Sequence, residues 1–236
     1  MYLPKQFRLD DRADILGVLR ERPFGHLVTG GSEADRPIAA TPLPFVVDEE
    51  ITCVRAHFSR ANRHWRSIDG ASALLIVPTV DAYVSPRWYP SKAEHGKVVP
   101  TWNYEVIHLR GTVEIHHDAG WKRALVSELT DRNEAAVPPV PETGDRPASP
   151  PERHAVPAGS TSADSEPWQV SDAPEDFIAG QLKAIVGVQL NVTEVIGKRK
   201  LSQNRSEPDR RGAQDGLEHS PRAGDVATAD RMSTGA

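Results

Sequence analysis

The chain has 236 residues, 38% of them hydrophobic, and its 28 Lys and Arg against 33 Asp and Glu give a formal net charge of −5. This length allows one decorated domain or two small ones, and the acidic balance argues against a dedicated DNA-binding domain, which more often carries a positive excess. The single cysteine, Cys53, excludes an intrachain disulfide, and no apolar run approaches the length of a membrane-spanning helix. The N-terminus has no apolar signal core, so we expect a cytoplasmic location.

The first third of the chain combines helical and strand-like segments. Asp11 is suited to cap a helix in which Ile15, Leu16 and Leu19 share one apolar face. Alternation and turn residues then predict short strands at 25–29, 37–47 and 51–57. A short helix is predicted at 60–68. The continuous apolar run at 71–77 predicts a strand covered on both faces.

The clearest strand spans 104–116, where apolar and polar residues alternate. Gly111 interrupts its apolar face and predicts a bulge. Asp118 is suited to cap the helix that follows. From 137 to 167 the chain is rich in proline and small polar residues, which predicts a flexible surface insertion.

Order is expected to return at Trp168, with a helix starting near Asp172 and a strand at 184–196. The polar and small residues at 207–236 predict a polar tail with at most a weak helix. Because strands occur on both sides of the insertion, the simplest architecture is one antiparallel barrel over 1–206 with helices packed around it.

Three segments carry candidate chemistry. In the first, Ser59, Arg60 and Arg63 follow a strand and open a predicted helix, which suits a phosphate. A solvated basic helix start is an equally good interpretation. His57, just before them, is a candidate metal or haem ligand, although a lone strand histidine is more often structural.

The second segment is the aromatic stretch 85–104, in which Trp88 and Trp102 lie among prolines. Big rings in such a turn region favour a rigid recess for a planar ligand, with Thr101 or Asn103 bonding its edge. A long hairpin loop fixed by two Trp explains them equally well. The third segment, 197–205, mixes basic residues with amides and hydroxyls, and a solvated basic tail is its commoner outcome.

Together these segments resemble one family, the PaiB-like proteins, named as FMN-binding negative transcriptional regulators. The matching segments are MYLP at 1–4, ATPLP at 40–44, SRAN at 59–62, AYVSP at 82–86, VPTWNY at 99–104, IVG at 185–187 and KLSQNR at 200–205. They run in order from the first residue to about Arg211. The chain departs from the family pattern at Pro42, where the family has His, and at the proline-rich insertion.

The resemblance implies a mainly β (α+β) fold, a split β-barrel of the FMN-binding type with a few flanking helices. Relatives of this kind include the pyridoxamine-phosphate oxidase and flavin-reductase group. It implies a homodimer that holds FMN at the subunit interface, and it is the only ground for expecting promoter DNA as a partner. The residues themselves predict no metal ion, because the chain has no cysteine-based zinc site and the adjacent His116 and His117 point to opposite faces of a strand. The cofactor-binding residues implied are Arg60, Asn62, Ser85, Trp88, Thr101, Trp102, Asn103, Lys200, Ser202 and Gln203.

Within that set, Arg60 and Asn62 are expected near the flavin phosphate, and Trp102 and Asn103 near the ring or the ribityl chain. The last three residues are expected to close the site, from the same subunit or its partner.

Other functions remain open on the same barrel. One is a flavin-dependent oxidoreductase. Another resembles the haem-dependent piperazate synthases, in which the histidine matching His57 would bind the iron of haem b during N–N bond formation. A third is a degenerate barrel that binds no cofactor. A visible spectrum would separate flavin, haem and neither.

Overall fold

The computed structural model describes residues 1–30, 38–138 and 166–234, and within these ranges the chain forms seven β-strands and six α-helices. The strands are β1 (Arg8–Leu9), β2 (Phe24–Thr29), β3 (Ala39–Val47), β4 (Cys53–Ser59), β5 (Ser72–Val84), β6 (Thr101–His116) and β7 (Ile185–Lys200). The α-helices are α1 (Arg12–Glu21), α2 (Ser91–His95), α3 (Ala119–Glu134), α4 (Glu175–Lys183), α5 (Glu207–Glu218) and α6 (Ala223–Thr234). Most of the predicted insertion, residues 139–165, lies outside the described residues.

The seven strands form one antiparallel sheet that closes on itself. Their order is β1-β7-β4-β3-β2-β5-β6, and β6 also pairs with β7. The long strand β7 makes this closure, because its first part pairs with β4 while β6 follows it from Gly187 to Lys200. The predicted mainly β barrel with flanking helices is confirmed.

Side chains that alternate along each strand fill the barrel interior. Phe45, Phe58 and Leu109 are buried there, with no more than 1% of their surface exposed. The same alternation holds in β5, where Leu75 is buried while Leu74 and Ile76 keep part of their surface. Within one copy of the protein only one face of this strand packs in the core, so a single chain does not provide the predicted cover of 71–77 on both faces.

Gly111 marks an irregularity in β6, as predicted. The register between β6 and β7 shifts between Arg110 and Gly111. A Cβ atom on Gly111 would lie 2.0 Å from the carbonyl oxygen of Asn191. The two backbones approach so closely here that only glycine fits without a shift of the chain.

Two aspartates cap helices where the sequence predicts them. The Asp11 carboxylate accepts the N–H of Asp14 at 2.9 Å, and that of Asp118 accepts the N–H of Trp121 at 2.7 Å. The predicted helix at 60–68 is only a short 3-10 helix, Arg63–Ser67. None of the helices in the described part of the chain combines the length and apolarity needed to cross a membrane.

The C-terminal region differs from the polar tail that we predicted. Helices α5 and α6 pack on the end of the barrel, and Leu217 and Met232 are buried against Val84 and Tyr89. Ser206 caps α5 by accepting the N–H of Asp209. The tail looked polar because each helix carries only a narrow apolar stripe, which is recognisable only once its partner surface is known.

Candidate functional site

Strand β7 separates the predicted site residues into two groups. Arg60 and Asn62 lie next to its start, where Ser59 pairs with Ile185. The residues from 101–103 and 200–203 lie at its far end, where Tyr104 pairs with Lys200. β7 is 16 residues long, which corresponds to about 50 Å of extended chain. A single copy of the protein does not bring the two groups together.

Arg60 is bonded to the chain that leads into β7. Its Nε donates to the carbonyl oxygen of Lys183 at 2.7 Å, and its Nη2 donates to that of Ile185 at 3.1 Å. The ammonium of Lys122 donates to the carbonyl oxygen of Leu182 at 2.6 Å. Two cations therefore satisfy the last carbonyl groups of α4. Burial, and then repulsion from Arg60, lower the pKa of Lys122.

Asn62 belongs to a hydrogen-bonded network on the same side of the barrel. Its Nδ2 donates to the hydroxyl of Thr41 at 3.1 Å. The imidazole of His64 bonds two hydroxyls, Nδ1 to Thr41 and Nε2 to Thr29, each at 2.8 Å. Burial lowers the pKa of His64, which favours the neutral ring. The network ties the corner at 60–64 to β2 and β3, and sequence analysis did not find it because Thr29, Thr41 and His64 are far apart in the chain.

Four of the predicted site residues make contacts within the subunit, near the place where the C-terminal helices meet the barrel. Ser85 caps a 3-10 turn, and Trp88 packs on α5, where a Cβ on Gly216 would lie 2.3 Å from its ring. The hydroxyl of Ser202 donates to Oδ1 of Asn103 at 3.0 Å, and both side chains are no more than 2% exposed. In one subunit these two are closed to a ligand, and their assignment as flavin contacts stays a prediction.

Gln203 shapes the turn that ends β7. Its Oε1 accepts the N–H of Leu201 at 2.7 Å, and its Nε2 donates to the carbonyl oxygen of Arg199 at 2.8 Å. The turn includes Ser202 with a φ of 66°, in the left-handed region. The side chain of Gln203 therefore fixes the backbone next to Lys200.

Exposed aromatic rings lie at this same end of the barrel. Trp102 is 51% exposed and Tyr83 is 39% exposed, and their ring centroids are 6.1 Å apart in an edge-to-face arrangement. Large apolar side chains grouped on a surface often mark a binding site. Of the two tryptophans singled out in the sequence, Trp102 is the one that keeps its ring open to solvent.

Two lysines of β7 lie beside the ring of Tyr104, which is two residues after Trp102 on β6. The Nζ atom of Lys200 donates to the hydroxyl of Thr101 at 2.5 Å and to the carbonyl oxygen of Trp102. Lys198 points to the same side of the strand, and its Nζ lies 5.2 Å from the centre of the Tyr104 ring. Burial, followed by the charges of Lys198 and Arg205, lowers the pKa of Lys200. Lys198 belongs to the segment 197–205 that the sequence singled out, but it is not among the predicted cofactor-binding residues.

The outer face of β2, β5, β6 and β7 carries apolar side chains that remain partly exposed. The strand register places His26, Ile76, His108 and Ile196 in one row across it. The partly exposed apolar side chains of this surface are Val28, Leu74, Ile76, Val106 and Ile196. We call this surface the outer sheet face.

His57 lies on β4, beside α3. It lines a cleft of about 340 Å³ together with Val126, Leu129 and Trp168. Its Nδ1 is buried and has no hydrogen-bond partner among the described residues, and burial lowers its pKa. In the described part of the chain, no group of three or more His, Cys, Asp or Glu side chains is placed to hold a metal ion.

Comparison of the sequence with known proteins identifies the family to which it is similar. Residues 1–194 match a family model described as "Putative FMN-binding domain". The Bacillus subtilis protein named protease synthase and sporulation protein PAI 2 is 28% identical over 211 residues, which cover 89% of this chain and 85% of that protein.

Solved structures share the fold at lower identity. The flavocytochrome Anf3 from Azotobacter vinelandii superposes with a TM-score of 0.51 at 16% identity, over 87% of this chain and 75% of its own. A FAD- and haem-binding protein from Mycobacterium smegmatis gives a TM-score of 0.50 at 16% identity, over 87% and 79% of the two chains. These likenesses show the split-barrel fold.

Proposed function

The chain belongs to this FMN-binding domain family, and on that basis we propose that it binds flavin mononucleotide as a homodimer. The flavin lies at the end of the barrel formed by Trp102, Tyr83 and Lys200. The observation that carries the proposal is the exposed pair of rings beside Lys200. This lysine forms no ion pair with a carboxylate in the described part of the structure. When bound, the flavin supplies one- and two-electron redox chemistry.

The residues at this end fit the two parts of the flavin. The rings of Trp102 and Tyr83 offer apolar surface to a planar heterocycle. Thr101 and the lysine provide polar groups next to them. A site with an aromatic wall and a few polar groups is typical of a cofactor pocket.

The outer sheet face supports the homodimer. Its apolar side chains, such as Leu74 and Ile76, keep part of their surface in one copy, and a second copy would bury them. A dimer is also the arrangement in which Arg60 and Asn62 can approach the flavin held by the other subunit, since they lie at the opposite end of β7 in their own.

The direct test is a visible spectrum of the purified protein before and after adding FMN. Twin flavin bands that remain after gel filtration are the expected result. Trp102→Ala should weaken FMN binding, whereas Trp168→Ala, which changes a similarly exposed tryptophan outside this site, should not. A protein that stays colourless after reconstitution contradicts the proposal.

Negative transcriptional regulation is the second part of the proposal, and its support is the resemblance to PaiB-like proteins. Promoter DNA would be the partner. An electrophoretic shift with promoter DNA at a stated salt concentration tests it, because protein–DNA affinity depends steeply on salt. The absence of a shift, with and without FMN, contradicts direct repression.

A haem- or flavin-dependent enzyme is the second candidate function. The specific observation in favour of haem is His57, which lines a cleft and whose Nδ1 has no partner among the described residues; burial lowers the pKa of its imidazole. Such a ring is suited to bind iron. A sharp Soret band that is lost in His57→Ala would favour haem b over FMN.

A further inference from the structure

We infer that Lys122 is a positioning residue for Arg60, which the family resemblance implies near the flavin phosphate. Lys122 holds the end of α4 that fixes the guanidinium, and it places a buried positive charge beside that group. The inference rests on the proposed flavin binding. It adds to the site a residue that acts through another and that is not among the predicted cofactor-binding residues.

The guanidinium of Arg60 is held by backbone acceptors that use only part of it. Its Nε donates to the carbonyl oxygen of Lys183 at 2.7 Å, and its Nη2 donates to that of Ile185 at 3.1 Å. The group also lies 5.9 Å from the centre of the Trp65 ring, whose Nε1 donates to the carbonyl oxygen of Arg60. A guanidinium has five N–H donors, so three have no acceptor among the described residues. Donors fixed in one plane match the oxygen atoms of a phosphate.

Lys122 reaches the same stretch of backbone from helix α3. Its side chain is only 4% exposed, and its Nζ donates to the carbonyl oxygen of Leu182 at 2.6 Å. The same Nζ lies 3.5 Å from the carbonyl oxygen of Ile185, which also accepts from Arg60. One carbonyl group is therefore shared by the two cations. Lys122 ties the start of α3 to the segment that orients the arginine.

The two cations have no ion-pair partner among the described residues. The carboxylates closest to Lys122 on α3 and α4 are engaged elsewhere, because Asp118 caps α3 and Glu175 is bonded to both terminal nitrogens of Arg123. Burial, and then the charge of Arg60, lower the pKa of Lys122. The corner therefore carries more positive charge than the described chain neutralises. An anion beside the arginine would offset this cost.

Capping α4 does not by itself require a buried lysine. Arg60 already donates to carbonyl groups at this helix end, and helices commonly end at a glycine or at exposed basic side chains. Burying an ammonium group costs free energy that such caps avoid. A purely structural lysine would affect flavins with and without a phosphate equally. A positioning lysine affects the phosphate-bearing flavin more.

Comparing FMN with riboflavin isolates the phosphate, because riboflavin has the same ring and ribityl chain without it. We expect the wild-type protein to bind FMN about 10- to 100-fold more tightly than riboflavin, the effect of charge-assisted hydrogen bonds. Lys122→Met should lower this ratio about 5- to 10-fold, within the range of coupling between residues of one hydrogen-bond network. Lys122→Arg, which keeps the charge and the donors, should keep more of the ratio. The quenching of flavin fluorescence measures both affinities.

Lys183→Met is the matched control. Its side chain is exposed, and the variant keeps the backbone carbonyl group that accepts from Arg60, so it removes an equal charge from the same helix end without removing a contact of the guanidinium. The ratio should change less than about twofold, because solvent screens exposed charges. A ratio near one in the wild type, an unchanged ratio in Lys122→Met, or equal falls in the two variants overturns the inference.

A double-mutant cycle shows whether Lys122 acts through Arg60. Arg60→Met should lower the ratio at least as much as Lys122→Met does. In the Arg60→Met background, Lys122→Met should then have no further effect, because the residue that it positions is gone. If Lys122→Met lowers the ratio by the same factor with and without the arginine, the lysine acts on the phosphate independently and the positioning role is wrong.

The pH dependence of the ratio tests the inference in the wild type. An anion beside Arg60 favours the charged form of Lys122, whose pKa burial lowers from the ordinary 10.5 in the free protein. FMN binding therefore raises this pKa, and the ratio should fall as the pH rises through its free-protein value. The ratio should stay level in Lys122→Met. If that variant does not fold, this profile decides, and a level ratio in the wild type overturns the inference.

Hydrogen exchange at Arg60 separates this inference from the proposed function. If the wild type binds neither flavin, flavin binding is contradicted, and NMR of the Nε–H group of Arg60 decides on the positioning role. Its hydrogen bond to the carbonyl oxygen of Lys183 should slow its exchange with solvent. Exchange should be faster in Lys122→Met and unchanged in Lys183→Met. Equal rates in the wild type and in Lys122→Met would overturn the positioning role as well.

Discussion

Gly187 has no side chain, and the space next to its Cα atom is filled by a residue of helix α3. The indole of Trp121 lies over it and stacks on His116, with ring centroids 4.2 Å apart and planes 7° apart. A Cβ atom on Gly187 would lie 2.3 Å from Cζ3 of that indole. The absence of a side chain here allows α3 to lie close to β7.

Gly187→Ala should therefore destabilise the protein by about 1–3 kcal/mol, the usual cost of overpacking a filled site. Gly17→Ala is the matched control, because nothing lies within 4 Å of its Cβ position in α1. It should stabilise the protein by up to about 1 kcal/mol through helix propensity. Urea unfolding measures both, and equal effects would contradict this account of Trp121.

His64 links stability to pH. Burial lowers its pKa in the folded state, so between that pKa and the ordinary value near 6.5 the unfolded chain binds more protons. The stabilisation is then complete above about pH 6.5 and is lost as the pH falls through the folded-state pKa. His57 and His108, whose pKa values burial also lowers, act in the same direction.

His64→Gln should flatten the fall of the melting temperature as the pH drops below about 6.5. The control is His219→Gln, because bonding to the carbonyl oxygen of Asp215 raises the pKa of the exposed His219, which gives the opposite sign. Thermal unfolding followed at several pH values measures the slope. A slope that is unchanged in His64→Gln would contradict a buried neutral ring.

At the scale of whole elements, the C-terminal helices complete the end of the barrel that holds the exposed aromatic rings. Glu105 of β6 is fully buried and is paired with Arg199 of β7 and, at 3.5 Å, with Arg231 of α6. Its carboxylate also accepts the hydroxyl of Thr79 at 2.9 Å. This ionic group and the apolar contacts of Leu217 and Met232 fasten α5 and α6 to the sheet.

Leu217→Ala should lower the free energy of unfolding by about 2–5 kcal/mol, because the residue is fully buried and its loss leaves a cavity. Val226→Ala on α6 is the control. Its side chain is 36% exposed, so the expected loss is under about 1 kcal/mol. Similar losses for the two variants would show that α5 is not packed as described.

At the scale of the whole molecule, the outer sheet face predicts how two copies meet. Ile76→Arg places a charge in the centre of the row formed by His26, Ile76 and His108. If this face joins two copies, the variant should be a monomer and should bind FMN more weakly, because a buried unpaired charge is costly.

Light scattering after size-exclusion chromatography measures the mass of each species. Val99→Arg is the control, since Val99 is 65% exposed and lies in the chain before β6, outside the outer sheet face. It should leave the mass unchanged. A monomeric wild type at micromolar concentration contradicts the homodimer, and a dimeric Ile76→Arg variant contradicts this face as its interface.

The elements of the fold followed from the sequence to different degrees. The alternation in β6, the caps at Asp11 and Asp118, and the bulge at Gly111 were predicted correctly, because each depends on residues next to one another in the chain. The helical C-terminus was not, since the burial of Leu217 depends on a surface about 130 residues earlier. In the candidate site, too, the features that depend on neighbouring residues were predicted, and those that depend on distant segments were not.

The amino-acid sequence alone shows which residue types this protein has for an anionic, planar ligand: tryptophans, lysines and arginines in the segments 59–65, 85–104 and 197–205. Which of them remain open to a ligand depends on the folded chain. It bonds Arg60 to the end of α4, buries Asn103 under Met232, leaves Lys198 only 6% exposed, and keeps Trp102 exposed beside the half-buried Lys200. This is so because the groups that bury or neutralise a side chain come from segments distant in sequence, whereas side-chain chemistry belongs to each residue alone.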